Sequence, residues 1–466
     1  MANKHSIDLT EGSVMKKLLV FAFPILLTNL LQQLYHAADV VVVGNFAQNP
    51  TLALAAVGST GSVITLFLNL FIGLSVGLNV VCANHYGARN RDFLRNAMHT
   101  GLALGAVGGV LISILGFFSA RTLLEWMGSP SDVIDQATKY VQTIFLGKPA
   151  NLVYLFGAAI MRAHGDTKRP MYILFGSGLL NVILNFFFVI AFHLDAVGVA
   201  LATAISYYFS AAAVLILLFH PGGDYHLSFS SLKLNKDEAV RIIKVGIPCG
   251  LNGIVFNLTN IIISSALNSL GSTTLAANSA AGNVDAILYQ IQSSFYSACV
   301  SFAGQNYGAK NFKRIDKLLA RSILLAAGTL ALIDVFVFTN PSFFMHLFTK
   351  DPGVVKLGAA RLYIMGGGYV IHVVSEMSIG CMRGMGKSMA PLILNAACIS
   401  IPRFIWVLGV FPFVRTYWFL LLCYPISWVF SSTAQLICYF YYRKKEEKLY
   451  LSSLAEEKKI GEEVTA

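Results

Sequence analysis

The sequence predicts an all-α integral membrane protein, in which twelve transmembrane helices form two six-helix lobes. Composition is the first observation behind this prediction: of 466 residues, 56% are hydrophobic and 12% are charged, whereas soluble proteins carry about 25% charged residues. Apolar stretches that recur from end to end are the second observation. The third is an internal duplication, in which the second half of the chain repeats motifs of the first.

The spanning segments are expected to be helices. Lipid offers the backbone no hydrogen-bond partners, so only helices and closed barrels cross a bilayer. The apolar runs are continuous and about twenty residues or longer, which suits helices rather than short alternating strands. The pair 274–305 and 317–340 is the least uniformly apolar, so one span there could be miscounted. The predicted spans are 15–44, 53–84, 97–120, 134–161, 170–192, 196–219, 240–269, 274–305, 317–340, 355–382, 391–413 and 416–441.

Basic residues predict the orientation of these spans. An even number of spans places both termini on one side, and 26 of the 34 Lys and Arg residues fall in the loops and ends of that side. Cytoplasmic loops carry such a bias. We therefore expect a multi-pass protein of the cell (cytoplasmic) membrane with both termini cytoplasmic. The net charge of +11 then reflects topology and contact with anionic lipid, and no nucleic-acid partner is expected.

The duplication keeps one register over most of the chain. ANHYGARN begins at Ala83 and GQNYGAKN at Gly304, while MRAHGDTKRP begins at Met161 and MRGMGKSMAP at Met382, with the same offset both times. Each repeat holds an even number of spans, so the lobes share one orientation and are expected to be related by a pseudo-two-fold axis along the membrane normal. A central cleft between such lobes could open to alternate sides. The predicted parts are a cytoplasmic N-terminal segment 1–14, an N-lobe 15–219, a cytoplasmic linker 220–238, a C-lobe 239–441 and a cytoplasmic tail 442–466.

The repeated motifs fall on short turns between spans and predict their backbone geometry. Glycines are expected where the turns need positive φ, and prolines in the first turn of the next helix. The glycines are Gly87, Gly165, Gly308 and Gly386, and the prolines are Pro170 and Pro391.

Polar residues at similar depth in the N-lobe form the first candidate site. Ionisable groups inside a membrane mark ion pathways by default, and Asp39 lies in the first span roughly 8 Å from its outer end, at about 1.5 Å per residue. Asn181 and Asn185 share a face of the fifth span, with Tyr140 and Thr203 at comparable depth on neighbouring spans. A carboxylate beside amide and hydroxyl oxygens suits a hard cation or a proton. A purely structural hydrogen bond from Asp39 to His36 or to a neighbouring helix is the alternative.

The C-lobe carries a second polar cluster. His372 and Glu376 are one turn apart on the tenth span, and Arg403 lies in the middle of the eleventh. A buried arginine needs a counter-charge, so we expect Glu376 to pair with Arg403, either as part of a functional cluster or as a structural link between helices. Lys148, Asp285 and Asp334 are weaker candidates within or near spans.

The chain resembles the multidrug and toxic compound extrusion (MATE) family over roughly residues 14–441. The resemblance rests on the two RxxG turns followed by proline, the two YGA(R/K)N turns, the twelve spans and the duplication. It implies two six-helix lobes around a V-shaped cleft. It also implies cation-driven antiport that exports organic, mostly cationic, compounds.

The resemblance also implies roles for individual residues. Asp39 matches the first-span aspartate that many members use for cation coupling, and Tyr140, Asn181 and Thr203 match site positions of one bacterial branch. Asn185 departs from that branch, which has an aspartate there, so Asp39 stands as the lone titratable group. The coupling ion could be H⁺, or Na⁺ held at Asp39, Asn181 and Thr203. His372 replaces an aspartate that binds sodium in another branch, so a C-lobe sodium site is not expected.

The expected function is therefore secondary antiport of small organic molecules, by a protein that we expect to be monomeric. The alternative is a lipid-linked precursor flippase of the same broad superfamily. Lys148 and Arg403 mildly favour the flippase, while the span count and turn motifs disfavour it. No HExxH and no nucleophile beside a base is found, so an enzyme is not expected. The lack of a GxxxxGK(S/T) phosphate-binding loop disfavours an ATP-driven pump. No cofactor is expected besides the coupling ion, and the seven cysteines lack metal-ligand spacing.

Overall fold

A computed structural model describes residues 6–220, 225, 227–228 and 233–465, with the backbone alone at 62, 63, 66, 457–461 and 464–465. This described part is predominantly helical and contains no β-strand. The helices are α1 Val14–Phe46, α2 Pro50–Gly87, α3 Arg91–Trp126, α4 Ile134–Leu146, α5 Lys148–Ala163, α6 Lys168–Phe186, α7 Asp195–Phe219, α8 Lys236–Asn268, α9 Ser272–Gly308, α10 Phe312–Thr339, α11 Pro341–His346, α12 Pro352–Gly384, α13 Met389–Asn395, α14 Ile401–Ile405, α15 Tyr417–Leu421 and α16 Cys423–Thr465.

Every predicted span coincides with a helical segment, and the all-α membrane class is confirmed. In the described residues, ten helices are long and apolar enough to cross a membrane, or eleven if the bent pair α4 and α5 counts as one span. The remaining helix is α9, one of the two predicted spans that were least uniformly apolar. Its interior carries polar side chains such as Asn278, Asp285 and Gln292, which lower its apolar character without breaking the helix.

Several spans are bent or irregular rather than continuous helices. α4 and α5 meet at Gly147 with a bend of 44°, because Pro149 in the first turn of α5 has no N–H to continue the helix. α6 passes into a π-helical turn, Phe187–Ala191. The eleventh span is the most interrupted: π-helical turns at Ala396–Ser400 and Trp406–Val410 flank the short α14.

The duplication is visible in the turns. Asn90 and Asn311 cap α3 and α10, and their side chains accept hydrogen bonds from Phe93 N at 3.4 Å and from Arg314 N at 3.2 Å. Such caps satisfy backbone donors that a helix start leaves unpaired. The caps occupy equivalent positions of the two repeats, so both repeats use the same turn chemistry.

The prediction of positive φ is confirmed for two of the four turn glycines. Gly165 has φ 88° and Gly386 has φ 78°, but the other turn pair places positive φ on Arg89 and Lys310, at 55° and 57°. Gly87 and Gly308 are the last residues of α2 and α9 and stay helical, so the prediction is wrong for both.

These two glycines are instead required by close backbone contact between helix ends. A Cβ on Gly87 would lie 1.9 Å from Gln305 O, and a Cβ on Gly308 would lie 2.0 Å from Asn84 O. Any larger residue at either position would therefore force the two helix ends apart.

Two compact units are present in the chain. The first consists chiefly of Phe23–Cys82 and Asn90–Ile254, and the second of Leu9–Ala22, Ala83–Arg89 and Val255–Ala466. The boundaries of these units therefore fall within helices, whereas the lobes proposed from the sequence meet at a linker, 220–238, that is described only in part. The tail proposed at 442–466 continues α16 as helix to Thr465.

Each unit has its own apolar core. In the first unit, fully buried side chains from α1, α3, α4 and α7 pack together, among them Val43, Phe145 and Val199. In the second, Met345, Leu362 and Val337 are buried between α10, α11 and α12. Leu9, which precedes α1, belongs to the second unit, where its N–H donates to Gln305 Oε1 at 3.1 Å.

Candidate functional site

Asp39 lies in the middle of the first unit's polar set and faces the protein. Its side chain on α1 is 8% exposed, and Asn185 Nδ2 on α6 donates to Asp39 Oδ1 at 2.6 Å. Asn185 is itself 0% exposed. No hydrogen bond joins Asp39 to His36 in the described residues, and the side chain of His36 is exposed. Of the two partners that the structural alternative named, the structure contains the neighbouring helix and not His36.

The hydrogen bonds continue from α6 to α7. Asn185 Nδ2 also contacts Asn181 Oδ1 at 3.3 Å, and Asn181 Nδ2 donates to Thr203 Oγ1 at 3.2 Å. Because the two asparagines are four residues apart, they lie on one face of α6. The result is a polar row that joins three helices, in which Thr203 also interacts with the Asp39 carboxylate.

Two tyrosines adjoin this row. Tyr140 on α4 is buried, and both Tyr140 and Tyr207 on α7 lie within electrostatic reach of the Asp39 carboxylate. Tyr207 was not predicted, although its spacing of four from Thr203 places it on the same helix face. Lys148 is buried at the start of α5, with its ammonium 5.4 Å from the centre of the Tyr207 ring.

The set therefore combines one carboxylate with amide and hydroxyl groups. The structure brings together the predicted Asp39, Asn181, Asn185 and Thr203 through hydrogen bonds. Among the described residues, Asn185 Oδ1 is buried and has no hydrogen-bond partner. A buried polar atom without a partner is costly, so this oxygen is free to accept a hydrogen bond or to bind a cation. Chemically, the arrangement can hold one positive charge or release it.

In the second unit, His372 contacts two residues that the sequence analysis did not single out, Gln292 and Trp428. Gln292 Nε2 on α9 lies 2.8 Å from His372 Nδ1, and the imidazole stacks on the ring of Trp428 with centroids 4.9 Å apart. Glu376 Oε1 lies 3.8 Å from His372 Nε2. His372 is thereby held between α9 and α16, with Glu376 beside it on α12.

The predicted ion pair between Glu376 and Arg403 is wrong for the described residues. Arg403 is 0% exposed and donates from Nε to Ser427 Oγ at 2.9 Å. Its guanidinium carbon lies 4.3 Å from the Tyr424 ring centre and 5.7 Å from that of Trp428. Arg403 thus packs against α16, whereas Glu376 lies beside His372 on α12. The prediction failed because counting residues along two helices gives the depth of a side chain but not its direction around the helix axis.

A buried ion pair that the sequence analysis missed lies nearby. Arg361 on α12 contacts Asp285 Oδ2 on α9 through Nη2 at 2.7 Å and Nε at 2.8 Å. Arg361 Nη1 also donates to Asn278 Oδ1 at 2.5 Å. Asp285 was recognised as a weak candidate, but Arg361, near the start of its span, gave no signal that it would be buried.

Sequence comparisons relate this chain to known membrane transporters. A family model described as MatE matches residues 24–187 and again 248–407, so it recognises both repeats. A relative described as the probable multidrug resistance protein YpnP of Bacillus subtilis is 28% identical, covering 95% of this chain and 98% of that protein. The multidrug export protein MepA of Staphylococcus saprophyticus is 21% identical, covering 92% and 94%.

Solved structures show the same fold. A multidrug resistance MATE family transporter of the MOP superfamily, determined in an outward-facing conformation, matches with a TM-score of 0.88 and 20% identity, covering 96% of this chain and 100% of that one. A MATE structure in a bent conformation matches with a TM-score of 0.86. Since the family model recognises well over half of the residues, in both repeats, the chain belongs to the MATE family of membrane transporters.

Proposed function

We propose that this protein is a secondary antiporter that exports organic, chiefly cationic and amphipathic, compounds in exchange for protons bound at Asp39. The observation that carries the proposal is the buried Asp39 carboxylate, held by the Asn185 amide at 2.6 Å. A carboxylate within a membrane is expensive to keep ionised, and such groups serve proton and ion pathways. Alternating access of two lobes would expose it to each side in turn.

The surroundings of Asp39 support a proton more than a sodium ion. Sodium binding is favoured by several oxygen ligands, as for other hard cations, but the amide of Asn185 directs its nitrogen toward Asp39. Asp39 is also the single carboxylate of the polar row, since Asn185 occupies the other suitable position. Sodium held by Asp39, Asn181 and Thr203 is the alternative that the experiment must separate.

The cationic character of the proposed substrates rests on the family resemblance, and their diversity rests on the relatives. YpnP and MepA are described as multidrug resistance and export proteins. The word multidrug implies a broad range of substrates. Translocation of a lipid-linked precursor is the competing activity. It calls for an assay of headgroup translocation beside the assay of drug export.

The proposed setting is the cytoplasmic membrane, with both termini cytoplasmic and the protein acting as a monomer. The excess of Lys and Arg in the loops of one side supports this orientation. In that arrangement Asp39 lies in the outer half of the membrane, where protons from outside would reach it before substrate is released.

The test is transport by the full-length protein in proteoliposomes. A cationic dye is loaded, either a pH gradient or a sodium gradient is imposed, and export is followed by fluorescence. We expect the wild type to respond to the pH gradient and Asp39→Asn to lose ion-driven export, because an amide does not ionise in the physiological pH range and so cannot carry the coupling proton. Asp132→Asn, at an exposed carboxylate, is the matched control.

Two results would contradict the proposal. Full export by Asp39→Asn would remove Asp39 from coupling, and a response to sodium alone would replace the proton by sodium. Folding of each variant is checked by size-exclusion chromatography and circular dichroism, so that loss of export is not confused with loss of protein. Translocation of a labelled lipid headgroup without dye export would favour the flippase.

A further inference from the structure

The repeat carries a counterpart of the Asp39 row into the second unit, with different chemistry. AISYYFSA begins at Ala204 and PISWVFSS at Pro425, which keeps the offset of the other repeated motifs. By this register Thr203 corresponds to Tyr424 and Tyr207 to Trp428. Arg403 is next to Pro402, which corresponds to Asn181.

Arg403 is the centre of this second set, and its guanidinium is incompletely satisfied. The side chain is 0% exposed, and its single hydrogen bond in the described part of the chain runs from Nε to Ser427. Nη1 and Nη2 are both buried and have no hydrogen-bond partner there. Among the same described residues, no carboxylate oxygen lies within 4.0 Å of the guanidinium, the distance that defines the other ion pairs.

An arginine in this state differs from a buried acid or lysine. Its guanidinium cannot lose the proton in a protein, so the positive charge must be compensated where it lies. The rings of Tyr424 and Trp428 at 4.3 Å and 5.7 Å supply part of this through cation–π attraction. Neither ring gives Nη1 or Nη2 a hydrogen-bond partner in the described residues.

Neighbouring charges do not complete the compensation. Arg361 lies on the same tyrosine, 5.8 Å from the centre of its ring, but its charge is matched by Asp285. Glu376 is next to His372 on α12. One unmatched positive charge therefore remains at Arg403, with two adjacent donors in a planar fork that fits a carboxylate in bidentate fashion.

We propose that the second unit holds a binding site for an organic carboxylate, centred on the Nη1 and Nη2 groups of Arg403. Ser427 holds the guanidinium through Nε, and the rings of Tyr424 and Trp428 pack close to it, so that the side chain is held in place for its ligand. The charge of this site is thus opposite to that of the Asp39 row in the first unit. This inference rests on the proposed function, because it assumes that the protein is an exporter. It extends the proposed substrates to compounds that carry a carboxylate beside a cationic or aromatic group.

The helix that carries Arg403 suits a site that must open and close. π-Helical turns lie on both sides of α14, at Ala396–Ser400 and Trp406–Val410, and single π-turns occur often at functional sites. Because their hydrogen bonds are irregular, these turns can let the segment shift without unfolding the span.

The test measures binding by the purified full-length protein, without transport. Benzoate is titrated against its uncharged isostere benzamide, with the thermal unfolding midpoint and calorimetry as readouts. We expect the wild type to bind benzoate about tenfold or more tightly than benzamide, as a charge-assisted bidentate pair would predict. Arg403→Gln should lose this preference, and Arg415→Gln, at an exposed arginine after the same span, should keep it.

The thermal unfolding midpoint of Arg403→Gln distinguishes a binding role from a structural one, because loss of a structural arginine would lower it. Without ligand, Arg403→Gln should unfold at the wild-type temperature or above it, because the substitution removes an unmatched buried charge. As an independent variant, Arg403→Lys retains the charge but loses the fork, and it should bind benzoate severalfold more weakly than the wild type.

Three outcomes would overturn the proposal. The first is equal binding of benzoate and benzamide by the wild type, and the second is unchanged benzoate binding in both Arg403 variants. The third is that chloride stabilises the wild type but not the Arg403 variants and competes with benzoate for binding. That result would show that the site holds an inorganic anion instead. Asp39→Asn should bind benzoate like the wild type, so a failure of proton coupling and a failure of this site give different results.

Discussion

At the scale of single residues, Asn185 determines how the buried carboxylate is held. It is the one position of the N-lobe set where this sequence has an amide, whereas the bacterial MATE branch that it resembles there has an aspartate. The structure gives the amide a double task, since its nitrogen lies within hydrogen-bond distance of both Asp39 and Asn181. Replacing an acid by an amide therefore keeps the row connected while it removes one negative charge.

We predict that Asn185→Ala lowers stability and weakens export together. The substitution removes the donor to a buried carboxylate, a hydrogen bond worth about 1.5–3 kcal/mol, and leaves a cavity where the side chain was 0% exposed. The measurements are the thermal unfolding midpoint and dye export in proteoliposomes.

Asn45→Ala is the control for this substitution. Asn45 donates to Val41 O of its own helix and is exposed. A wild-type unfolding midpoint for Asn185→Ala would show that the hydrogen bond contributes nothing.

The sequence predicted which polar residues form the sites, but not all of the contacts between them. The sequence identified Asp39, Asn181, Asn185 and Thr203 because polar residues in long apolar runs are conspicuous. It paired Arg403 with Glu376 because their depths are similar, but the structure turns Arg403 toward Ser427. Depth follows from counting residues along a helix of constant rise, whereas the direction of a side chain depends on how each helix is rotated against its neighbours.

At the scale of elements, glycine sets how closely helices approach within the first unit. A Cβ on Gly73 of α2 would lie 2.2 Å from Gly250 N of α8, and a Cβ on Gly77 would lie 2.4 Å from Ile242 O. This is backbone-to-backbone packing, which small residues permit in membrane helices. The GxxxG spacing of α2 is thus used for packing against α8.

We predict that Gly73→Ala destabilises the protein while Gly58→Ala does not. The methyl group at position 73 would meet backbone atoms that cannot rotate away, and overpacking of this kind costs about 1–3 kcal/mol or more. At position 58 of the same helix no atom lies within 4 Å, and alanine favours helix over glycine by about 1 kcal/mol.

Thermal unfolding of both variants in one detergent checks this pair. Equal midpoints for the two would show that α2 and α8 separate without cost. A lower midpoint for Gly58→Ala than for Gly73→Ala would reverse the assignment of the packing face.

At the scale of the whole molecule, the duplicated sequence specifies duplicated local structure. Helix starts, caps and positive-φ turns recur at equivalent positions of the two repeats, as at Asn90 and Asn311 or Gly165 and Gly386. The chemistry of the two repeats has diverged on this common frame. The polar row of the first unit contains one carboxylate, Asp39, among amides, and in the second unit Arg361 and Arg403 lie against aromatic rings.

We predict that the turns rich in Lys and Arg face the cytoplasm. In intact cells, a membrane-impermeant maleimide should label Lys350→Cys and leave Arg89→Cys unlabelled, while permeabilised cells should show both. Each position is exposed. The seven native cysteines are buried or partly buried, and the unmodified chain measures their background.

The opposite labelling pattern would invert the proposed topology. It would place the termini outside and Asp39 in the inner half of the membrane. Labelling of both positions in intact cells would contradict the assignment of these turns to opposite sides.

The sequence by itself determined the helical class, the position of each spanning segment and the register of the repeat. These follow from local requirements, because each backbone group in lipid must find its partner within the same helix. Only the tertiary structure decided which polar side chains meet: Asn185 and Asp39 are 146 residues apart, and Arg361 and Asp285 are 76 apart. Such pairs depend on the rotation, bending and close packing of whole helices, which no local pattern of residues specifies.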